Sequence, residues 1–235
     1  MEPTPTAAVQ RLAAPLRQQV LDGLRQAIIE GRLAPGARLI ERELTGMMRV
    51  SRTVIREALR QLESEGLIAI IPNKGPVVRA LTLAEAKDLY QIRAVLEGLA
   101  ARLFTDNADE ARVKNLVQTL EVVATAYDSG NAQQVLETKN RFYDVLFEGA
   151  GSETLSSMLG TLHARIWRWR ALGLSHPERS AQRSKESIRN LRAMLAAIKK
   201  RDTDAAERVT REEASRAAAE VMRLLESGER NGGRA

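Results

Sequence analysis

The sequence predicts a mainly α chain in two parts, a small helix–helix–hairpin unit followed by an all-α antiparallel bundle of about six helices. Three observations carry this. Between Glu41 and Arg79, two helical stretches precede two short β-type runs that flank Pro72-Asn73-Lys74-Gly75. From Thr82 onward only helical periodicity is found, punctuated at Ser129-Gly130, Gly149-Ala150-Gly151 and the stretch from Gly173 to Pro177. The charge is also uneven. Residues 1–80 hold 12 Lys and Arg against 8 Asp and Glu, whereas residues 81–235 hold 24 against 22. Most of the net charge of +6 therefore sits in the first third, as expected for a nucleic-acid module joined to a nearly neutral domain.

Residues 1–9 are Pro/Thr/Ala-rich and are expected to form a flexible arm, so the first domain is placed at 10–80. A helix is expected from about Leu12 or Leu16 to Gly31, with Leu16, Val20, Leu24 and Ile28 on one side. Leu33-Ala34-Pro35-Gly36 reads as a turn and Glu41 to Met48 as the next helix. Ser51 then suits an N-cap, because its hydroxyl can accept from a first-turn N–H. Ile55, Ala58, Leu59 and Leu62 make one apolar face of the helix that Ser51 opens, and Arg52, Arg56 and Arg60 make a cationic row. Such a row is most often only a solvated face. It can also enter the major groove, where Arg donates two bonds to guanine O6 and N7. The residues after the helix favour the second meaning. Glu65-Gly66 ends it, Leu67 to Ile71 and Pro76 to Arg79 read as strands, and Lys74 and Gly75 form a basic tip between them. This is the layout of a winged helix-turn-helix, with a wing able to reach phosphates or the minor groove of double-stranded DNA.

The second domain is placed at 81–228. Thr82 and Glu85 form a capping box that opens a helix to about Asn107, with Leu89, Ile92, Leu96, Leu99 and Leu103 as its expected apolar stripe. Further helices are expected from Asp109 to Tyr127, from Ala132 to Phe147, and from Ser152 to Leu172 with an interruption at Gly160. A fifth reaches Arg201 and a sixth covers Thr203 to Leu225, leaving 229–235 as a flexible tail. Bundles of this kind place ligand sites between facing helices. Trp167 and Trp169, interleaved with Arg165, Arg168 and Arg170, fall on different sides of their helix. One Trp is expected in the core, the other at a cavity or a dimer seam. An anion-binding role for one of these arginines competes with a simple surface role.

Other chemistry is thin. The chain has no cysteine, which excludes disulfides and thiolate metal sites and points to the cytoplasm. No apolar run approaches the roughly 18 residues that span a bilayer, and Met1 to Thr6 lacks a signal-peptide pattern, so no membrane partner is expected. No Gly-rich phosphate loop and no nucleophile elbow are present, so neither catalytic residues nor a cofactor are expected.

The runs from Ile28 to Leu44, Val50 to Leu59 and Leu62 to Ile68 resemble the opening domain of GntR-family transcriptional regulators. The resemblance implies that Arg42, Arg52, Arg56 and Gly75 face DNA. Ser51, Thr53 and Lys74 flank them, and Arg49 stands where the helix-helix turn commonly holds Gly. Arg49 there either carries roughly 1 kcal/mol of left-handed strain or the turn is reshaped. The segments Arg93 to Ala101, Phe142 to Gly151 and Ala193 to Ala206 resemble the helical effector domain of the FadR branch. That resemblance implies a homodimer that represses or activates from an inverted-repeat operator and binds a small organic acid or acyl effector. Many members of the branch hold a divalent metal. The matching positions here are Lys139, Tyr143, Leu191 and Glu213, a set that implies no metal, and with Arg93 they are the expected effector-binding residues. His163 and His176 fall elsewhere and read as ordinary histidines. Two other classes stay open at this point. One is an architectural DNA-binding protein with no effector; the other is an enzyme in the helical half using Glu97 or Glu213.

Overall fold

A computed structural model describes residues 13–29, 31–80 and 82–232. The expected arm at 1–9 and the last three residues lie outside the described residues. The chain divides into two compact units, Met1–Ala80 and Leu81–Ala235.

The first unit contains α1 (Ala13–Ile29), α2 (Glu41–Met48), α3 (Arg52–Ser64), β1 (Ile68–Ile71) and β2 (Gly75–Val78). Its core forms where Val20, Leu21, Leu24 and Ala27 of α1 meet Ile55, Ala58, Leu59 and Leu62 of α3, all buried. Arg25 pins these two helices at one end, donating through Nε and Nη2 to the Glu65 carboxylate at 3.2 and 2.8 Å. The strands pair antiparallel with Ile68 opposite Val78 and Ile71 opposite Gly75. A third edge is not legible in the sequence. The stretch 36–39 runs along β2, with Leu39 N donating to Pro76 O and Val78 N donating to Ala37 O. So short a stretch is too brief for a periodic signal, and only the preceding turn stands out.

Among the described residues the second unit is six helices: α4 (Leu83–Asn107), α5 (Glu110–Ser129), α6 (Ala132–Gly149), α7 (Glu153–Ser175), α8 (Ala181–Lys199) and α9 (Thr203–Gly232). The fold class expected from sequence is the one observed. The central helix is α4, which packs against α6, α7, α8 and α9. The capping box at its start is formed, with Glu85 N donating to Thr82 Oγ1 and Thr82 N donating to the Glu85 carboxylate. Close approach of α4 and α6 relies on Gly149, where any Cβ would run into the Phe104 ring.

Three expectations need correction. The buried face of α4 is not the all-aliphatic stripe: Ile92 and Leu99 are exposed, while Ala86, Tyr90, Arg93, Ala94, Glu97, Ala101 and Phe104 face inward. Helix α7 is continuous through Gly160, because Leu155, Leu159, Leu162 and Ile166 bury its inner face. That burial outweighs the roughly 1 kcal/mol helix penalty of one glycine. Finally, α9 runs on to Gly232, past the expected end of the domain.

Candidate DNA-reading surface and effector cavity

Helix α2 ends at Arg49, whose backbone is left-handed at φ 53°. The turn keeps its shape and the arginine carries the strain. Ser51 then caps α3, its hydroxyl accepting from Val54 N at 3.4 Å. The cap fixes the start of α3 and so presents Arg52, Thr53 and Arg56 on the exposed side, opposite the buried Ile55–Leu62 face. Arg42 on α2, Arg49 in the turn and Lys74 at the hairpin tip are exposed as well. Gly75 takes φ 80° beside Asn73 at φ 63°, a tight left-handed turn that suits Gly and Asn. Among the described residues, Arg42, Arg49, Arg52 and Lys74 pair with no carboxylate. Arg56 differs. Its Nε donates to both oxygens of Glu41, each at 2.9 Å, so α2 holds this guanidinium and offsets its charge. Sequence reasoning misses this pair because the two residues are 15 apart and on separate helices.

The second unit has a partly open cavity of about 40 Å³ between its helices, lined by Tyr90, Arg93, Tyr127, Lys139, Arg170 and Arg183 among others. The expected effector residues are divided by it. Arg93 and Lys139 reach the lining, whereas Tyr143, Leu191 and Glu213 do not. Leu191 is an apolar core residue packed with Met194 and Leu195. Tyr143 is buried edge-on against Phe142 and His163, and that burial pushes its hydroxyl pKa up, so it stays a neutral phenol. Of the four aligned positions only Lys139 reaches the lining, and Glu213 stands behind it, 3.8 Å from Lys139 Nζ.

Two buried networks shape the wall. In one, Glu97 accepts from Arg93 Nε at 2.7 Å and meets His163 Nε2 at 2.6 Å. Burial alone would raise the Glu97 carboxyl, but Arg93 and His163 outweigh it and pull it down to about 2. Burial lowers His163 to about 4. Arg170 Nη1, which can only donate, lies 3.3 Å from His163 Nδ1, so Nδ1 accepts and Nε2 carries the proton given to Glu97. Arg170 also donates to Asn140 at 2.7 Å. In the second network, Glu213 accepts from Arg183 at 3.0 Å, Ser187 at 2.7 Å and Asn190 at 2.8 Å. His163, an ordinary histidine by its sequence context, is therefore a buried link between Glu97 and Arg170. The lining residues Arg170, Arg179, Arg183 and Ser187 carry no motif; only the cluster around Trp167 and Trp169 hints at Arg170.

The donor set does not suit a divalent ion. Of the four positions that the FadR-branch resemblance aligns with metal ligands, Lys139 presents an ammonium, Leu191 presents no donor, and Tyr143 holds its proton. Glu213 alone could ligate, and its oxygens are already engaged. Among the described residues no cluster of three or more His, Cys, Asp or Glu has the geometry of a metal site.

Comparison with known proteins agrees with this two-part construction. The gntR family of bacterial regulatory proteins matches residues 16–78, and the FCD domain family matches residues 88–216. The HTH-type transcriptional regulator YdhC of Bacillus subtilis is 28% identical over 218 residues, covering 92% of this chain and 96% of its own. The HTH-type transcriptional repressor RspR of Escherichia coli is 28% identical over 194 residues, covering 83% of each. Among solved structures, Escherichia coli McbR/YncC superposes with a TM-score of 0.78 at 24% identity, covering 89% of this chain and 98% of its own, a likeness of fold. The chain belongs to the GntR family, in the group whose C-terminal half is an FCD domain, and is a DNA-binding transcriptional regulator.

Proposed function

We propose that this regulator is a cytoplasmic homodimeric repressor that grips an inverted repeat with one α3 helix per half-site and lets go when a small organic acid enters the FCD cavity. The observation that carries the effector half is the cavity wall, where five Arg and Lys side chains meet between helices and none is a metal ligand. Cations withdrawn from water select an anion over a neutral metabolite. The exposed row of Ile92, Val95 and Leu99 on α4 supports the dimer, since a spacing of three and four residues makes an apolar strip that a second copy would cover. On the DNA side, Arg52 and Arg56 read base edges, Arg42, Arg49, Ser51, Thr53 and Lys74 hold phosphates, and Gly75 lets the wing backbone approach closely.

The test uses the full chain and the DNA flanking its own gene. Footprinting locates the operator, and sedimentation gives the stoichiometry. Two protected half-sites bound by a dimer, released on adding an organic acid, are expected. A monomer coating DNA without sequence preference would refute the reading.

A further inference from the structure

Helices α5 and α8 run antiparallel along one seam. Tyr127 Oη donates to Ser187 at one end, and Glu121 stands 3.9 Å from Arg192 midway. Leu116, Leu120, Leu191 and Leu195 belong to the core below it. At its other end the seam opens into a surface groove of about 390 Å³, separate from the cavity described above. The floor of this groove is apolar. Val113 and Val117 are half-buried and one turn apart on α5, and Ile198 of α8 lies beneath them.

The rim is cationic. Lys114, Lys199 and Arg201 stand there against a single carboxylate, Glu110, and none of these four side chains forms an ion pair among the described residues. Two of the cations have a role in holding the fold. Lys199 lies in the last turn of α8, where a positive charge is favoured by the carbonyl end of the helix. Arg201 takes a left-handed backbone at φ 56° and donates to Thr105 O at 2.6 Å and Ala108 O at 2.7 Å, closing the end of α4. Both acceptors are neutral, so its charge is not cancelled. Lys114 has neither role. It stands exposed in the second turn of α5, near the positive end of that helix, where a cation is disfavoured.

We infer that this groove docks an acidic amphipathic segment of a partner protein, with aliphatic side chains on Val113, Val117 and Ile198 and carboxylates on Lys114, Lys199 and Arg201. The groove is independent of the effector and operator readings above. Its chemistry selects the occupant. A small metabolite in an open groove leaves much of its surface in water, whereas small-molecule sites bury most of theirs. DNA phosphates would meet the three cations and leave the valines uncovered. A helical segment satisfies both: apolar residues four apart cover the floor, and Asp or Glu beside them reach the rim. A regulator seated on DNA through its first unit thereby keeps a surface on its second for another protein.

The test uses the full-length protein and fluorescence anisotropy. The probe is a labelled synthetic peptide, Glu-Leu-Glu-Ala-Glu-Leu-Glu-Ala repeated twice, with two controls that carry Ser for Leu or Lys for Glu. The acidic peptide is expected to bind, and both controls to bind roughly tenfold more weakly or worse. The double variant Lys114→Glu with Lys199→Glu should melt like the parent, because neither lysine has a partner to lose, and should weaken peptide binding roughly tenfold. Lys114→Gln alone should weaken it severalfold. Arg52→Glu in the DNA-reading helix should leave it unchanged. Equal binding of the Ser control would remove the apolar floor from the site. Binding lost in Arg52→Glu and kept in the double variant would mean that the peptide merely mimics phosphates on the first unit. A double variant with weakened affinity for random DNA would make the groove a phosphate contact, and one that sediments as a monomer would make it a contact between copies. Any of these four results would overturn the inference.

Discussion

Lys139 Nζ and Glu213 Oε1 stand 3.8 Å apart with the Ser187 hydroxyl between them, accepting from Lys139 at 3.1 Å and donating to Glu213 at 2.7 Å. The arrangement is unequal. Glu213 has further donors in Arg183 and Asn190, while among the described residues Lys139 bonds directly only to this serine and has the face of the Tyr127 ring at 5.9 Å. Burial would push the Glu213 carboxyl up, but Lys139 and Arg183 outweigh it and hold it below the usual range.

Removing either end should therefore have different consequences. Lys139→Met leaves Glu213 with its remaining charged and polar donors and should cost about 1–2 kcal/mol. Glu213→Gln leaves Lys139 and Arg183 buried without their anion and should cost on the order of 3–5 kcal/mol. Urea denaturation of the two variants checks the order. Equal losses would mean that Lys139, not Arg183, is the main partner of Glu213.

How much of this is legible in the sequence depends on the kind of signal. The apolar face of α3, the Ser51 cap and the Thr82–Glu85 capping box are local patterns, and the structure has them where the spacing puts them. The α4 face departs from expectation because aliphatic periodicity points to Ile92 and Leu99. In fact the inward side carries Arg93 and Glu97, which neutralise each other one turn apart. A buried ion pair on a core face looks like a solvated face in sequence. Long-range partners are invisible in the same way. Nothing near Arg170 announces Asn140, and nothing near Arg56 announces Glu41.

The Glu41–Arg56 pair bears on DNA reading. Arg52→Ala and Arg56→Ala should each weaken operator binding by about 1–3 kcal/mol and relax base preference, whereas Lys74→Ala should weaken all sequences alike and lower the salt slope by about 1. Glu41→Gln frees Arg56, so binding to random DNA should rise more than binding to the operator. Fluorescence anisotropy at several salt concentrations separates these cases. Equal losses on operator and random DNA for both arginine variants would remove their base-reading role.

The Glu97–His163 contact predicts an acid-sensitive fold. Both groups bind protons more weakly when folded than when unfolded: Glu97 falls from 4.5 to about 2, and His163 from 6.5 to about 4. A depressed pKa gives stability that is present above the unfolded value and is lost as pH falls through the folded one. Loss is expected first between about 6.5 and 4 from His163, then between about 4.5 and 2 from Glu97, the latter on the order of 3 kcal/mol. In His163→Gln the melting temperature should be flat across the upper window and still fall across the lower one. A parent protein whose melting temperature is unchanged between pH 7 and 4.5 would contradict the histidine assignment.

The last prediction concerns the metal site that the FadR-branch resemblance aligns with this chain. At the four matching positions this chain sets an ammonium, a neutral phenol, an alkyl side chain and a carboxylate that already accepts from Arg183, Ser187 and Asn190. A divalent ion at that place would sit beside Lys139 and Arg183, and the Coulomb repulsion in a site closed to water would exceed what one carboxylate returns. The positive charge that an ion gives such a site is supplied here by the side chains themselves. A chelator should accordingly leave the melting temperature and the operator affinity unchanged, and added zinc or nickel should raise neither. The double variant Lys139→Asp with Leu191→His restores two donors to the aligned positions and is expected to gain metal-dependent melting that the parent lacks. Stoichiometric zinc or nickel in the purified parent, lost together with stability on chelation, would show that the ammonium of Lys139 does not occupy the place of the ion.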